Sequence, residues 1–255
     1  MKVLFIRRKV YVPLLLIIIA IIFIVVYAVT QQYVSQVTGH YSEDIPIYSV
    51  DCEGKKCSIT FDCAWGADDI SHILDILDKY KAKATFFVVG LWAEKYPDMV
   101  KLIVDRGHDV ANHGYSHAHM SKIPDAKVEE EILRCTEVLE KITGAKVTLF
   151  RPPYGEYISA TIKVAKKLKY QSIQWEVDSL DWKEALSADD IYKRVTQRVK
   201  PGSIILFHND TLHTKDVLPS ILESLTKNGY SCVSVSELLI KGDYKIRFDG
   251  RQVIY

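Results

Sequence analysis

The chain has 255 residues, of which 48% are hydrophobic and 25% are charged. This composition is typical of a globular protein with a sizeable core, and it excludes a largely disordered one. The formal net charge of +1 provides no broad basic field, so we expect no nucleic-acid partner.

The N-terminal segment predicts a membrane anchor. Residues 10–29 carry no charge and have about the length of a helix that spans a bilayer core. Four basic residues lie within residues 1–9, and their charge should hold that end in the cytoplasm and place the rest of the chain outside. A cleaved signal peptide is the alternative, but the apolar run exceeds the ~7–15 residues of a signal-peptide core. Residues 30–43 then form a polar tether to one domain over residues 44–255.

Two cysteines stand near the start of this domain. Cys52 and Cys57 are separated by four residues, a spacing that suits a hairpin with strands over residues 47–52 and 57–62. Such a hairpin would bring the two sulfurs together. Outside the cell, a disulfide and two unpaired cysteines are equally compatible with the sequence.

From Cys57 onward, short apolar runs alternate with amphipathic stretches. The apolar runs predict strands over residues 58–61, 84–89, 108–111, 147–150, 171–174, 203–207 and 231–235. The amphipathic stretches predict helices over residues 69–81, 92–105, 126–142, 158–168, 188–199 and 217–227. This alternation predicts an α/β domain of parallel strands with crossover helices. About seven such units favour an incomplete barrel with outer helices over a large open sheet, although periodicity alone does not separate the two.

Polar clusters close several of these apolar runs. They contain, in chain order, Asp62, His113 with His117, Arg151 with Tyr154, Asp181 with Trp182, and Leu206 with His208. In a barrel or an open parallel sheet, ligands bind at the carboxyl ends of the strands. We therefore expect these side chains to converge on one active site.

The first clusters suit a metal-assisted hydrolase. His113 and His117 are four residues apart, and on a helical turn or tight loop both rings can point at one metal ion. Asp62 ends an apolar strand, where its charge would be costly without a partner. A bidentate Arg151 would keep it ionised as a general base for a metal-bound water. The alternative is an ion pair that only fixes two strand ends.

The later clusters supply candidates for the remaining steps. Tyr154 follows two prolines and carries a backbone N–H that could stabilise an oxyanion. Asp181 could raise the basicity of His208 and fix its tautomer, which would make His208 a general acid. Trp182 could form an apolar wall against a sugar ring, or it could pack in the core.

In this order, the clusters resemble the five motifs of the polysaccharide deacetylase family, carbohydrate esterases with a NodB-like homology domain. The resemblance covers roughly residues 56–239. The family's Thr-Phe-Asp-Asp-Gly, His-x-x-x-His and Arg-Pro-Pro-Tyr-Gly segments correspond to residues 60–64, 113–117 and 151–155, and Asp181-Trp182 and Leu206-x-His208 complete the set. Trp65-Gly66 is similar to a subgroup that includes sporulation-associated cell-wall deacetylases.

The resemblance implies a distorted (β/α) barrel that removes acetyl groups from N-acetylated sugars. It implies a divalent metal, commonly zinc, with cobalt, manganese and nickel as alternatives. It also implies a role for each motif residue. Asp62 would be the base, Arg151 would orient it, and His113 and His117 would bind the metal. The backbone N–H of Tyr154 would donate to the oxyanion, and Asp181 would tune His208 as the acid. Leu206 and Trp182 would line the acetyl pocket and groove.

Two positions depart from the family pattern. Members normally have a metal-binding aspartate where this chain has Cys63, and an aspartate often follows the last histidine where it has Asn209. Zinc takes about three protein ligands in a catalytic site, and two histidines leave one place open. A Cys63 thiolate, Asp68, Asp69 or Asp62 itself could fill that place.

The leading hypothesis is a monomeric, single-pass membrane protein whose catalytic domain lies outside the cell. It would deacetylate cell-wall glycan, either peptidoglycan or a chitin-like oligosaccharide. The rival hypothesis is a catalytically weak or inactive homologue that binds glycan as an envelope protein, since Cys63 replaces a metal ligand. Hydrolysis of an O-acetyl ester by the same groups is a third hypothesis, which differs only in the leaving group.

Overall fold

The computed structural model describes residues 16–27, 30 and 44–255. The chain divides into two units, Met1–Ser42 and Glu43–Tyr255, and residues 16–27 of the first unit are helical. Within the described ranges, none of the helices combines the length and the hydropathy that a bilayer crossing needs. The predicted span over residues 10–29 and the tether over residues 30–43 lie partly outside the described residues.

The second unit alternates strands and helices from end to end. Its elements are β1 (Ser49–Val50), β2 (Lys56–Cys63), α1 (Ile70–Lys79), β3 (Ala84–Val88), α2 (Gly90–Lys95), α3 (Pro97–Asp105), β4 (Asp109–Asn112), α4 (Asp125–Thr143), β5 (Leu149–Phe150), α5 (Ser159–Lys167), β6 (Gln171–Ser172), β7 (Val177–Asp178), α6 (Ala188–Thr196), β8 (Ile204–His208), α7 (Thr214–Lys227), β9 (Ser231–Cys232), α8 (Val235–Leu238), β10 (Tyr244–Ile246) and β11 (Arg251–Ile254). Two short 3-10 turns, Met120–Lys122 and Pro153–Gly155, lie in the loops after β4 and β5.

Seven parallel strands form the main sheet in the order β6-β5-β4-β3-β2-β8-β7, and β9 pairs with the start of β2 outside this path. The connections between parallel neighbours contain helices, as a parallel crossover requires. No strand in the described part of the chain joins β6 to β7, so the sheet forms a half-barrel. The predicted incomplete barrel of about seven parallel strands with outer helices is confirmed.

Two details of the predicted strands are different. β7 has only two residues, too few to produce a periodic pattern, and no strand is predicted there. The apolar run over residues 231–235 forms the short strand β9 and then α8. The helix begins because the Ser234 hydroxyl accepts a hydrogen bond from the backbone N–H of Glu237, which caps its first turn.

The central strand β2 is buried on both faces and lies between two apolar clusters. Ile59, Phe61 and Cys63 pack in one cluster with side chains of α1 and α7. Phe87 of β3 belongs to the cluster on the other face of the sheet. Because successive side chains of a strand alternate between faces, Asp62 points to the side opposite Cys63.

The register of the strands positions the polar clusters. Asp62 of β2 is paired with His208 of β8. On the other side, Val88 of β3 pairs with Asn112 of β4, and Asn112 pairs with Phe150 of β5. The carboxyl ends of these strands therefore meet at one edge, and the residues that follow Asn112 and Phe150, which include His113 and Arg151, reach that edge too.

The hairpin predicted around Cys52 and Cys57 is wrong. β1 pairs with β11 in a separate three-stranded sheet, in the order β1-β11-β10, while β2 pairs with β3, β8 and β9. All five cysteines are free thiols. Cys57 instead lies across from Cys232 of β9, with 3.7 Å between the two sulfurs. The turn between β1 and β2 leads the chain into the main sheet, so β2 does not pair with β1.

Candidate active site

A pocket of about 890 Å³ opens at the carboxyl ends of the strands. Eight of the nine predicted site residues line it, namely Asp62, His113, His117, Tyr154, Asp181, Trp182, Leu206 and His208. The ninth, Arg151, is fully buried and bonded to Asp62. The structure therefore brings all the polar clusters together at one site.

Asp62 and Arg151 form a buried ion pair at the base of the pocket. An Arg151 guanidinium nitrogen lies 2.6 Å from Asp62 Oδ1. The guanidinium also donates to the Thr60 hydroxyl at 3.0 Å and to the Gln174 carbonyl at 3.1 Å, and it lies over the Phe87 ring. These contacts give one bond to the carboxylate instead of the predicted bidentate pair, and the second terminal nitrogen donates to the Gln174 carbonyl.

The ion pair determines the charge of Asp62. Burial is the largest single influence and acts to raise the pKa of this carboxyl. The charges of Arg151, His113 and His208 and the hydrogen bond from Arg151 together outweigh it, so the pKa lies below its ordinary value. Asp62 is therefore ionised at neutral pH. Its free oxygen, Oδ2, lies 3.4 Å from His113 Nε2, on the pocket side of the pair, where it can accept a proton.

His113 and His117 are held as neutral rings. His113 Nδ1 lies 2.8 Å from the Arg151 carbonyl oxygen, which can only accept, so Nδ1 carries the proton and Nε2 keeps its lone pair. The two ring centroids are 5.1 Å apart. Burial lowers the pKa of His113, and it lowers the pKa of His117 to about 4. Neutral imidazoles with a fixed tautomer are the form that binds metal ions.

Three of the four candidates for a third metal ligand, Cys63, Asp68 and Asp69, do not reach the two histidines. Cys63 packs in the apolar cluster on the far side of the sheet, and burial raises the pKa of its thiol well above the ordinary value. Asp69 accepts a bond from the backbone N–H of Asp210 at 2.9 Å and does not line the pocket, and Asp68 is exposed outside it. Among the described residues, no group of three or more His, Cys, Asp or Glu is arranged to hold an ion. These residues do not fit the three-ligand zinc site of known catalytic centres.

His208 is held by Asp181 on the opposite wall. His208 Nδ1 lies 2.8 Å from Asp181 Oδ1, and the His208 backbone N–H donates to Asp181 Oδ2 at 2.7 Å. The Thr214 hydroxyl donates to the same Oδ2 at 2.5 Å. Burial acts to lower the pKa of His208, but the hydrogen bond and charge of Asp181 outweigh it, and the pKa lies above its ordinary value. His208 is therefore suited to donate a proton near neutral pH.

The loop after β5 contains two consecutive residues in the left-handed backbone region. Tyr154 has a φ of 62°, in the left-handed region that most residues avoid, and Gly155 follows at 67°. A Cβ atom at Gly155 would lie 2.6 Å from the Trp175 ring. The glycine is therefore needed both for the turn and for the close approach of Trp175, a pocket residue that the sequence patterns did not predict.

Exposed aromatic side chains surround the pocket mouth. Trp65 and Trp182 are 58% and 54% exposed, although both rings are large and apolar. Trp65 also contacts His117, with the ring centroids 5.4 Å apart. Such faces suit stacking on a sugar ring. Trp182 is one of the predicted wall residues. The contact of Trp65 with His117 was not predicted, and its only sequence signal is the position of Trp65 just after β2.

Other residues make contacts at the site that the sequence analysis did not predict. The Thr214 hydroxyl, at the start of α7, donates to Asp181, and the backbone carbonyl of Gln174, in the loop after β6, accepts from Arg151. Asn209 is buried where the family often has an aspartate, and its side-chain amide donates to the Gly66 carbonyl. Each lies far along the chain from its partner. Only the fold brings them together.

Comparison with known proteins agrees with this geometry. The sequence profile of the polysaccharide deacetylase family matches residues 49–173. A peptidoglycan-N-acetylglucosamine deacetylase of Bacillus cereus is 36% identical over 79% of this chain and 94% of its own length. The peptidoglycan-N-acetylmuramic acid deacetylase PdaC of Bacillus subtilis is 33% identical over 74% of this chain and 40% of its own.

Among solved structures, BA3943 of Bacillus anthracis, described as a pseudoenzyme of carbohydrate esterase family 4, superimposes with a TM-score of 0.73. It is 30% identical, and the match covers 83% of this chain and 72% of that one. The matches in sequence and fold, together with the five motif clusters around one pocket, show that the chain belongs to the polysaccharide deacetylase family.

Proposed function

We propose that this chain is a hydrolase that removes N-acetyl groups from cell-wall glycan, either peptidoglycan or a chitin-like oligosaccharide. The observation that carries the proposal is a single pocket in which the pKa of a carboxyl is lowered and the pKa of a histidine is raised. Asp62 is ionised beside Arg151, and the pKa of His208 is raised beside Asp181. Groups with pKa values pushed apart in this way are typical of paired acid and base catalysts. The activities named for the relatives support the same reaction.

In the proposed reaction, Asp62 Oδ2 takes a proton from a water as the water oxygen bonds to the acetyl carbonyl carbon. The backbone N–H of Tyr154 stabilises the oxyanion that forms. When the C–N bond breaks, His208 gives its proton to the departing nitrogen. The products are a free amine and acetic acid, which releases its remaining proton to solvent and becomes acetate. The proton left on Asp62 returns to His208 through solvent.

The direct test is release of acetate from acetylated glycan oligomers by the purified chain, with and without added divalent ions. Tetramers of N-acetylglucosamine and peptide-free glycan that contains N-acetylmuramic acid would separate the two sugars. An active family member serves as the positive control. Absence of acetate with every ion and substrate, while the control is active, would overturn the proposal.

A second candidate is a glycan-binding homologue without turnover. It is favoured by the lack, among the described residues, of a group of three metal-binding side chains and by the likeness to a pseudoenzyme. Its signature would be an inactive parent whose glycan affinity is unchanged in an Asp62→Ala, His208→Ala double variant. An active parent excludes it.

We also propose that the site binds a divalent metal ion, with zinc preferred over cobalt, manganese or nickel. The protein's share would be the ring nitrogens of His113 and His117, so we expect weak binding, with substoichiometric metal after dialysis against a mild chelator. A His113→Ala, His117→Ala double variant should bind none, and Cys63→Ser should match the parent because Cys63 packs in the apolar cluster. Metal content by mass spectrometry tests this expectation. Loss of metal in Cys63→Ser would contradict it.

We also propose that residues 10–29 anchor a monomeric chain in the cell membrane with its catalytic domain outside. The support is the uncharged run after four basic residues. The full chain should stay in the membrane pellet after an alkaline carbonate wash, whereas a chain that begins at Glu43 should stay in the supernatant. Full-chain protein recovered from the supernatant with its first 29 residues removed would instead indicate a cleaved signal peptide.

A further inference from the structure

We propose that His119 and Glu156 form a clamp that positions Tyr154 and His117 for the reaction. The inference rests on the proposed deacetylase function and adds two positioning residues that belong to none of the five motif clusters. His119 lies in the loop after β4, and Glu156 lies in the loop after β5. Together they connect the loop of the two site histidines to the loop of Tyr154.

The clamp has a polar part and a stacked part. His119 Nδ1 lies 2.9 Å from Glu156 Oε2, and the Ser121 hydroxyl donates to the same oxygen at 3.3 Å. The His119 ring stacks on the Tyr154 ring, with 4.1 Å between centroids and 12° between planes. The Tyr154 ring also contacts the His117 ring, with 4.3 Å between the centroids. The Tyr154 ring is therefore fixed between two histidines.

Positioning is needed here because the backbone is in a disfavoured conformation. Tyr154 has a φ of 62° and His117 a φ of 60°, both in the region that residues with a Cβ rarely adopt. Such conformations persist only where the surroundings hold them. Tyr154 is 51% exposed, so packing against the domain covers only half of it. The stack with His119 is what restrains the ring, and through it the direction of the Tyr154 backbone N–H.

His119 and Glu156 do not line the pocket, so they act through Tyr154 without touching the substrate. Loss of the clamp should therefore misplace the oxyanion donor and leave glycan binding largely intact. A donor that is displaced by about an ångström can cost 10- to 100-fold in rate. The expected signature is a fall in kcat with little change in KM.

The test compares full-length variants by acetate release. His119→Ala should lower kcat about 10-fold with KM within about twofold. His119→Phe keeps the stack and should recover most of the loss, and Glu156→Gln keeps an acceptor oxygen and should stay near the parent. His72→Ala, on the exposed face of α1, is the matched histidine control and should be unchanged. Because His119 and Glu156 are partly exposed, we expect the melting temperatures to stay within about 3 °C.

A crystal structure of His119→Ala provides a readout that does not need turnover. We expect Tyr154 to leave the left-handed region. An unchanged Tyr154 backbone, an unchanged kcat, or a raised KM without loss of kcat would overturn the clamp. A parent chain without acetate release would instead count against the proposed function, and the Tyr154 backbone in the variant would still decide the clamp.

Discussion

Replacing Asp62 by asparagine should lower kcat for acetate release by about 10³-fold, because the amide has the same shape but cannot take a proton from water. The substitution should also destabilise the fold. Arg151 is 0% exposed, and breaking a buried pair by removing one partner leaves an uncompensated charge that costs about 3 kcal/mol. Acetate release and urea unfolding measured on the same preparation check both effects.

The two effects can be separated with a second variant. In an Asp62→Asn, Arg151→Met double variant no charge is left unpaired, and the methionine keeps an apolar side chain over Phe87. We expect stability to return towards that of the parent, since apolar replacements of buried ion pairs are often neutral or better. Activity should stay lost. A double variant that regained activity would show that Asp62 is not the base.

The pH dependence of stability has a defined sign. The pKa of Asp62 is lowered by Arg151 in the folded chain, so the ion pair contributes its full stability above the unfolded value of about 3.9. That contribution is lost as the pH falls further, through the folded pKa. The Asp62→Asn variant should therefore lose less stability than the parent between pH 4 and pH 2, which acid titration of the unfolding free energy would measure.

The sequence predicted these side chains because each stands at the carboxyl end of an apolar strand. Asp62 ends its run at the residue that pairs with His208, and His113 and Arg151 each follow the last residue of a strand. Once the strands are parallel and adjacent, convergence of these positions follows from the topology. For this reason, sequence analysis could predict the ion pair of Asp62 with Arg151 and the general acid His208.

The misses have physical causes of a different kind. The spacing between Cys52 and Cys57 does not determine which strand pairs with the start of β2. In the structure that partner is β9, which comes from near the other end of the chain. The clamp of His119 and the hydrogen bond from Thr214 to Asp181 depend on contacts between loops. The orientation of Cys63 was accessible, because adjacent residues of a strand face opposite sides. What argues against a Cys63 ligand is its burial in the apolar cluster with α1 and α7, which the structure shows.

Replacing Asp181 by asparagine should move the alkaline limb of the kcat profile to lower pH. A general acid works only while protonated, so activity falls as the pH rises through the pKa of His208. Asp181 raises that pKa with its hydrogen bond and its charge, helped by the charges of Asp62 and Asp178, against the effect of burial. Without the Asp181 charge, burial should dominate and lower the pKa of His208 below its ordinary value.

The asparagine variant should therefore lose about 10²-fold in kcat at pH 8 and less at pH 6, because fewer molecules hold the proton at the higher pH. Thr214→Val is the matched control. It removes one hydrogen bond to Asp181 but keeps the carboxylate charge, so it should shift the limb only slightly. Rate profiles between pH 5 and pH 9, with KM measured at each point, test the assignment. A limb that stays in place in Asp181→Asn would mean that a group other than His208 donates the proton to the leaving amine.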